Sequence, residues 1–245
     1  MNILLWGFIG FTLLYEPIIG YWLYQRFKIR VLTNPTSRIH YYKIVMLGLW
    51  LPTLIILIVV VNSELTLEEL RVIMPSINTK ALGTIVTYIV IGVALLYSVL
   101  LLYYAIGYFI SDKVKNKMKI TKQKQMKQIA FTELLPVTKK EKAIWNQVAW
   151  TAGVTEEIIY RGLLIFAFNT LFTEWSIWFV LLCTSIIFGL AHTYQSLSGV
   201  IRTTIFGFVF GMLAVALNSI IPLILLHALI DYVGKLGDEN EKDLK

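Results

Sequence analysis

ALGTIVTYIVIGVALLYSVLLLYYAIGYFI, residues 81–110, runs for 30 residues without a charged side chain. A helix that crosses a bilayer needs about 20 consecutive apolar residues, so this stretch is long enough to span with tilt or to project beyond the hydrocarbon. In lipid the backbone N–H and C=O groups must be satisfied within the segment, which leaves helices and closed barrels as the choices. A barrel strand would show alternating apolar and polar residues over about ten positions, and no such alternation is present. The stretch therefore predicts a membrane helix.

Six further apolar segments lie on either side: Ile3–Tyr24, Ile44–Val61, Ile144–Phe172, Trp175–Ala191, Leu197–Leu217 and Ile220–Val233. The last four are joined by very short connections, which favour adjacent antiparallel helices. Of the 245 residues 57% are hydrophobic and 15% charged, with a mean hydropathy of +0.70. A soluble domain carries about 25% charged residues. The expected fold class is all-α: a polytopic membrane helix bundle of about seven transmembrane helices. Its expected regions are N-terminal spans with a Lys-rich loop (1–140), a C-terminal membrane core (141–236) and a polar tail (237–245).

Basic residues in the loops set the orientation. The loop from Arg26 to Lys43 holds Arg26, Lys28, Arg30, Arg38 and Lys43 with no acid; residues 111–142 hold ten lysines against Asp112, Glu133 and Glu141. Between them, residues 62–80 hold Glu64, Glu68 and Glu69 against Arg71 and Lys80. The first and third loops are expected in the cytoplasm and the second outside. Seven spans then put the N-terminus outside and the C-terminus inside, in a multi-pass protein of the cell membrane.

The lysine run 113–127 supplies most of the net charge of +7. It lacks the interleaved aromatic residues of a nucleic-acid surface and is read as a contact with anionic lipid. The first apolar run has no basic residue before it and no small-x-small cleavage site after it, so it is read as a retained span rather than a signal peptide. No lipidation motif is visible. The single cysteine, Cys183, excludes an intramolecular disulfide.

Charged residues inside spans are costly, roughly 2.5–3.5 kcal/mol each on insertion scales, and are functional candidates for that reason. Glu156-Glu157-Ile158-Ile159-Tyr160-Arg161 is the densest such stretch. Glu157 and Arg161 are four apart on a helix and can pair, whereas Glu156 and Arg161 are about 140° apart and pair poorly. Glu156 is thereby left for other work, such as a general base. Phe188-x-x-x-His192 closes the fifth segment, and His227-x-x-x-Asp231 puts an imidazole and a carboxylate on one face of the last. Hydrolysis by Glu156-activated water, a zinc site, and ion or proton translocation all fit these residue types. The His-Glu-x-x-His zinc signature is absent, and the spacing requires no metal or other cofactor.

The three motifs, in this order, resemble the CPBP family of CAAX-type intramembrane endopeptidases and bacteriocin-processing or bacteriocin-immunity (Abi) proteins. The resemblance covers about residues 144–235. It implies an α-helical bundle with a cavity open toward the cytoplasm. It also implies that Glu156 and His192 activate water, that His227 and Asp231 polarise the scissile carbonyl and stabilise the oxyanion, and that Glu157 and Arg161 support them. Asn often occupies the last position in CAAX-processing members. An ionised Asp231 donates no hydrogen bond, so the oxyanion role rests on His227, and Asp231 serves to orient it or to hold it protonated.

The function expected from this resemblance is hydrolysis of a peptide bond in a peptide or membrane-protein substrate. A non-proteolytic immunity or scaffold protein is the alternative. A transporter is less favoured, because the two halves show no internal repeat. The oligomeric state is left open. Counting along the helices exposes a tension: at 1.5 Å per residue Glu156 lies about 12–18 Å deep, whereas His192 falls near the surface. A site in the cytoplasmic half, with the fifth helix running past Tyr194, reconciles the two. Three smaller features complete the reading. Gly207-x-x-x-Gly211 suits close helix packing. Residues 128–142 suit an interfacial helix. In Glu16-Pro17, midway along the first span, the proline kinks the helix and Glu16 faces the cavity or the freed backbone.

Overall fold

The computed structural model describes residues 1–34, 36–63, 65–126 and 131–237, and these contain helices and no strand. Lys127, Glu64 and the tail 238–245 lie outside the described residues.

The chain opens with α1 (Asn2–Leu14), a π-helical segment Tyr15–Gly20 and α2 (Tyr21–Thr33), which together form one continuous helix. Pro17 has no N–H to give to the ladder, and its ring crowds the carbonyl one turn back. The helix absorbs this by widening: the Tyr21 N–H reaches back five residues to the Glu16 carbonyl. Such π segments concentrate at functional sites. The helix α3 (Ser37–Asn62) follows.

Residues 65–83 are irregular and largely exposed, anchored to the bundle at a few points. Leu65 and Leu70 are buried. Ile220 N–H donates to Arg71 O, Ser76 N–H to Leu217 O and Asn78 N–H to Ala216 O. Irregular backbone is tolerated among membrane helices where protein satisfies it, as here. Gly83, at φ 81°, turns the chain into α4 (Thr84–Ile110). The Lys-rich α5 (Asp112–Met126) comes next.

Thr138 starts α6 (Lys139–Glu156) with a reciprocal capping box to Glu141. The helix continues through a second π segment, Glu157–Leu164, into α7 (Ile165–Leu171). A turn leads to α8 (Ile177–Leu190), then α9 (Ser196–Ala216) and α10 (Ile221–Gly234).

Each of the seven apolar segments forms helix. Four described stretches are long and apolar enough to cross a membrane: Asn2–Thr33, Ser37–Asn62, Thr84–Ile110 and Thr193–Ala216. At 14 residues each, α8 and α10 reach only about 21 Å. The stretch from residue 139 to 171 is long but carries seven charged side chains.

One core joins both halves of the chain: Leu5, Ile56, Leu70 and Val90 pack with Leu163, Leu181, Leu213 and Leu223. A second, aromatic cluster of Tyr24, Phe27, Tyr41 and Tyr42 lies at the end where α6 begins. Gly207 and Gly211 face α8, where added Cβ atoms would stand 3.0 Å from Phe188 and 2.9 Å from Leu181. The small residues therefore pack α9 on α8 within the molecule. Residues 131–137 form a strap rather than an interfacial helix. Tyr42 OH donates to Leu134 O, and Arg38 bonds both Glu133 O and the Glu141 carboxylate. Residues 128–130 of that expected helix lie outside the described residues, and 139–142 already belong to α6.

Candidate active site

Close approach of α6 and α10 creates the site. At Gly153 a Cβ would stand 2.9 Å from Ile224 O and 3.2 Å from Ala228 Cβ. Any larger residue would separate the helices, and with them Glu156 and Glu157 from His227.

Glu157 and Arg161 are almost wholly buried and paired at 3.1 Å. The Arg161 guanidinium also lies 4.0 Å from the centre of the Phe188 ring and 5.4 Å from that of Phe210. Aromatic faces thus stand in for water around a cation whose Nη2 has no hydrogen-bond partner among the described residues. Glu157 does more than brace its helix. Its Oε1 also lies 2.7 Å from His227 Nδ1. An ionised carboxylate only accepts, so Nδ1 carries the proton and Nε2 is turned toward the opposite side.

On that side His227 Nε2 lies 3.9 Å from Glu156 Oε2 and 3.9 Å from Asp231 Oδ2. The expected arrangement therefore changes in two respects. Glu157, not Asp231, holds the His227 tautomer, because the i, i+4 spacing aims the Asp231 carboxylate at Nε2. The imidazole nearest Glu156 is His227, whereas the sequence suggested His192. Glu156 Oε2 is buried and has no hydrogen-bond partner among the described residues.

His192 lines the same cavity. Its Nδ1 lies 2.9 Å from Phe188 O, a carbonyl that can only accept, so Nδ1 is protonated and Nε2 is left as an acceptor. Phe188 thus uses its ring on Arg161 and its carbonyl on His192, which gives the Phe-x-x-x-His spacing a physical meaning. The fifth helix does not run on past Tyr194: α8 stops at Leu190, and a half-buried turn, Thr193–Gln195, follows. Thr193 Oγ1 donates to Pro17 O, which sets this turn level with the middle of the first helix.

A cavity of about 510 Å³ connects these groups; its walls include Glu16, Glu156, His192, Tyr194, His227 and Asp231. Glu16 and the tyrosines come from parts of the chain that the motifs do not touch. The signal for Glu16 was present as a glutamate next to a proline inside an apolar run. Nothing in the sequence marked Tyr15, Tyr41 or Tyr194. Among the described residues no three His, Cys, Asp or Glu side chains are grouped to hold a metal ion.

The comparisons bear on this same stretch of chain. Residues 141–233 match the Rce1-like family of type II CAAX prenyl endopeptidases. The Rce1-like region contains every motif residue named above, from Glu156 to Asp231, and agrees with the CPBP resemblance. No match was found among curated proteins or solved structures. The match is to a family of membrane proteases over less than half of the chain, and four described helices are long and apolar enough to cross a membrane. Glu16, Tyr15 and Tyr41 lie outside the Rce1-like region.

Proposed function

We propose that the protein is a multi-pass intramembrane endopeptidase of the cell membrane that hydrolyses a peptide bond in a peptide or membrane-protein substrate. The observation that carries this reading is the unpartnered Glu156 Oε2, 3.9 Å from His227 Nε2, at the wall of a cavity that also holds His192. A water between Glu156 and the scissile carbonyl carbon gives its proton to the carboxylate and attacks. His192 Nε2 accepts a hydrogen bond from that water and fixes its position. Protonated His227 donates Nε2–H to the carbonyl oxygen as negative charge develops there. Glu156 then returns the proton to the leaving amine. Asp231, beside Nε2, balances the imidazolium charge.

Seven passes with the N-terminus outside and the C-terminus inside are part of this proposal, supported by the alternation of basic and acidic loops. The exposed Lys113 and Lys124 of α5 support a contact with anionic lipid at the cytoplasmic surface.

The test is cleavage of a membrane-peptide library by the purified protein in nanodiscs, with and without a chelator. Cleavage that survives chelation and is lost in Glu156→Gln supports the reading. Cleavage retained in Glu156→Gln ends it.

A further inference from the structure

The proline-widened segment Tyr15–Gly20 delivers a carboxylate into the cavity from outside the Rce1-like region. Glu16 is half-buried and lines the cavity. Its carboxylate makes no hydrogen bond or ion pair among the described residues. Oε2 lies over the Gly20 backbone, where a Cβ would stand only 2.9 Å away. A carboxylate at a cavity wall with no protein partner is available to a group of opposite charge that enters the cavity.

The surroundings specify the sign of that group. Tyr15, Tyr41, Tyr160 and Tyr194 share the cavity wall with Glu16, as does Glu156. Two carboxylates repel a third, so an acidic side chain is excluded. A cation between them is attracted to both and can lie against the aromatic faces. The rings are held in place. Tyr41 stacks on Phe27 at 4.4 Å, and Tyr194 is wedged between Tyr24 at 5.2 Å and His192 at 5.9 Å. Contact with His192 puts this pocket beside the reacting groups. Among the described residues two permanent cations line the cavity wall, and neither pairs with Glu16: Arg202 has Gln195 Oε1 as a partner at 2.7 Å, and Lys122 donates from Nζ to Gly234 O.

We propose that Glu16, with Tyr15, Tyr41 and Tyr194, forms a specificity subsite for a lysine or arginine side chain of the substrate, close to the scissile bond. The inference deepens the protease reading and relies on it only for the position of that bond. A prenyl group or a purely apolar peptide would leave Glu16 without a partner.

Binding separates this proposal from the chemistry. The full chain bearing Glu156→Gln, in nanodiscs, is titrated with fluorescent apolar peptides that differ at one residue, lysine in one and norleucine in the other, with that residue placed at successive positions. At one position lysine should bind about tenfold more tightly, as one charge-assisted hydrogen bond would give. Adding the nearly isosteric Glu16→Gln should reduce that ratio to about one while leaving norleucine binding unchanged. Gly20→Ala, which displaces the carboxylate without removing it, should give an intermediate ratio. Equal binding of both peptides at every position, or a lysine preference that survives Glu16→Gln, overturns the subsite. If the unmutated protein cleaves nothing while the lysine preference depends on Glu16, the protease reading falls and the subsite stands.

Discussion

Two long helical stretches solve opposite problems. The helix α4, Thr84–Ile110, has no charged residue and turns side chains such as Leu96 and Val99 outward. The stretch from Lys139 through the π segment to Leu171 carries Glu156, Glu157 and Arg161 in its middle and buries Glu157 and Arg161 completely. The first needs nothing but lipid. The second is admissible only because α10, α8, α9 and the first helix surround it with a histidine, two aromatic faces and a cavity. Charge tolerance in this bundle is set by what the neighbouring helices supply.

The sharpest way to break that comparison is to neutralise the two glutamates one at a time. Glu156→Gln should lower peptide cleavage by about 10²–10⁴-fold, the range for loss of a general base, while the thermal unfolding midpoint holds or rises. Glu157→Gln should lower both stability and cleavage, because it frees Arg161 and loosens His227 together. Equal stability profiles for the two variants would show that they are not different residues.

Arg161→Ala leaves the buried Glu157 carboxylate with His227 alone, and breaking a buried pair from one side costs about 3–5 kcal/mol. Val99→Ala in α4, where the side chain faces outward, should stay within about 0.5 kcal/mol. Unfolding of the two variants in the same detergent measures the contrast directly. The double variant Arg161→Met with Glu157→Gln should recover much of the loss. Gly153→Val tests the packing that brings the site together. Overpacking costs about 1–3 kcal/mol, and cleavage should fall further than stability predicts, since α10 carries His227 away from Glu156.

The mildest change at a charged residue is expected outside the membrane-spanning segments, at the start of the charged helix. Burial alone would raise the Glu141 pKa, but the Thr138 and Val137 N–H groups and Arg38 outweigh it and hold the carboxyl below its ordinary 4.5. The folded value is therefore the lower one. Its contribution is complete above pH 4.5 and is lost as pH falls through the folded pKa. Glu141→Gln should cost about 0.5–2 kcal/mol at neutral pH, in the range of a lost cap interaction. It should also flatten the stability decline below pH 4.5, measured by unfolding across that range.

Helix positions were legible because a membrane segment announces itself by local composition: residues 81–110 need no partner to be read. The Glu157–Arg161 pair was legible too, since its spacing lies within one helix. The motif residues stood out as polar groups in apolar surroundings, and their convergence on one cavity was a fair expectation. The partner assignments were not legible. His227 Nδ1 points to Glu157 and Nε2 to Glu156 because α6 and α10 touch at Gly153, which is a property of two helices. The position of His192 follows from where α8 stops and from a hydrogen bond to Pro17, 176 residues away in sequence.

By itself, then, the sequence determined that the chain is a bundle of membrane helices, which residues are chemically out of place in it, and which of them can pair within a turn. Local composition and helical periodicity are enough for that. Only the tertiary structure decided which imidazole serves which carboxylate, that the Thr193–Gln195 turn lies beside the middle of the first helix, and that Glu16 joins the cavity from the other half of the chain. Those facts depend on the rotation, crossing and length of helices packed against one another, and no single helix carries that information.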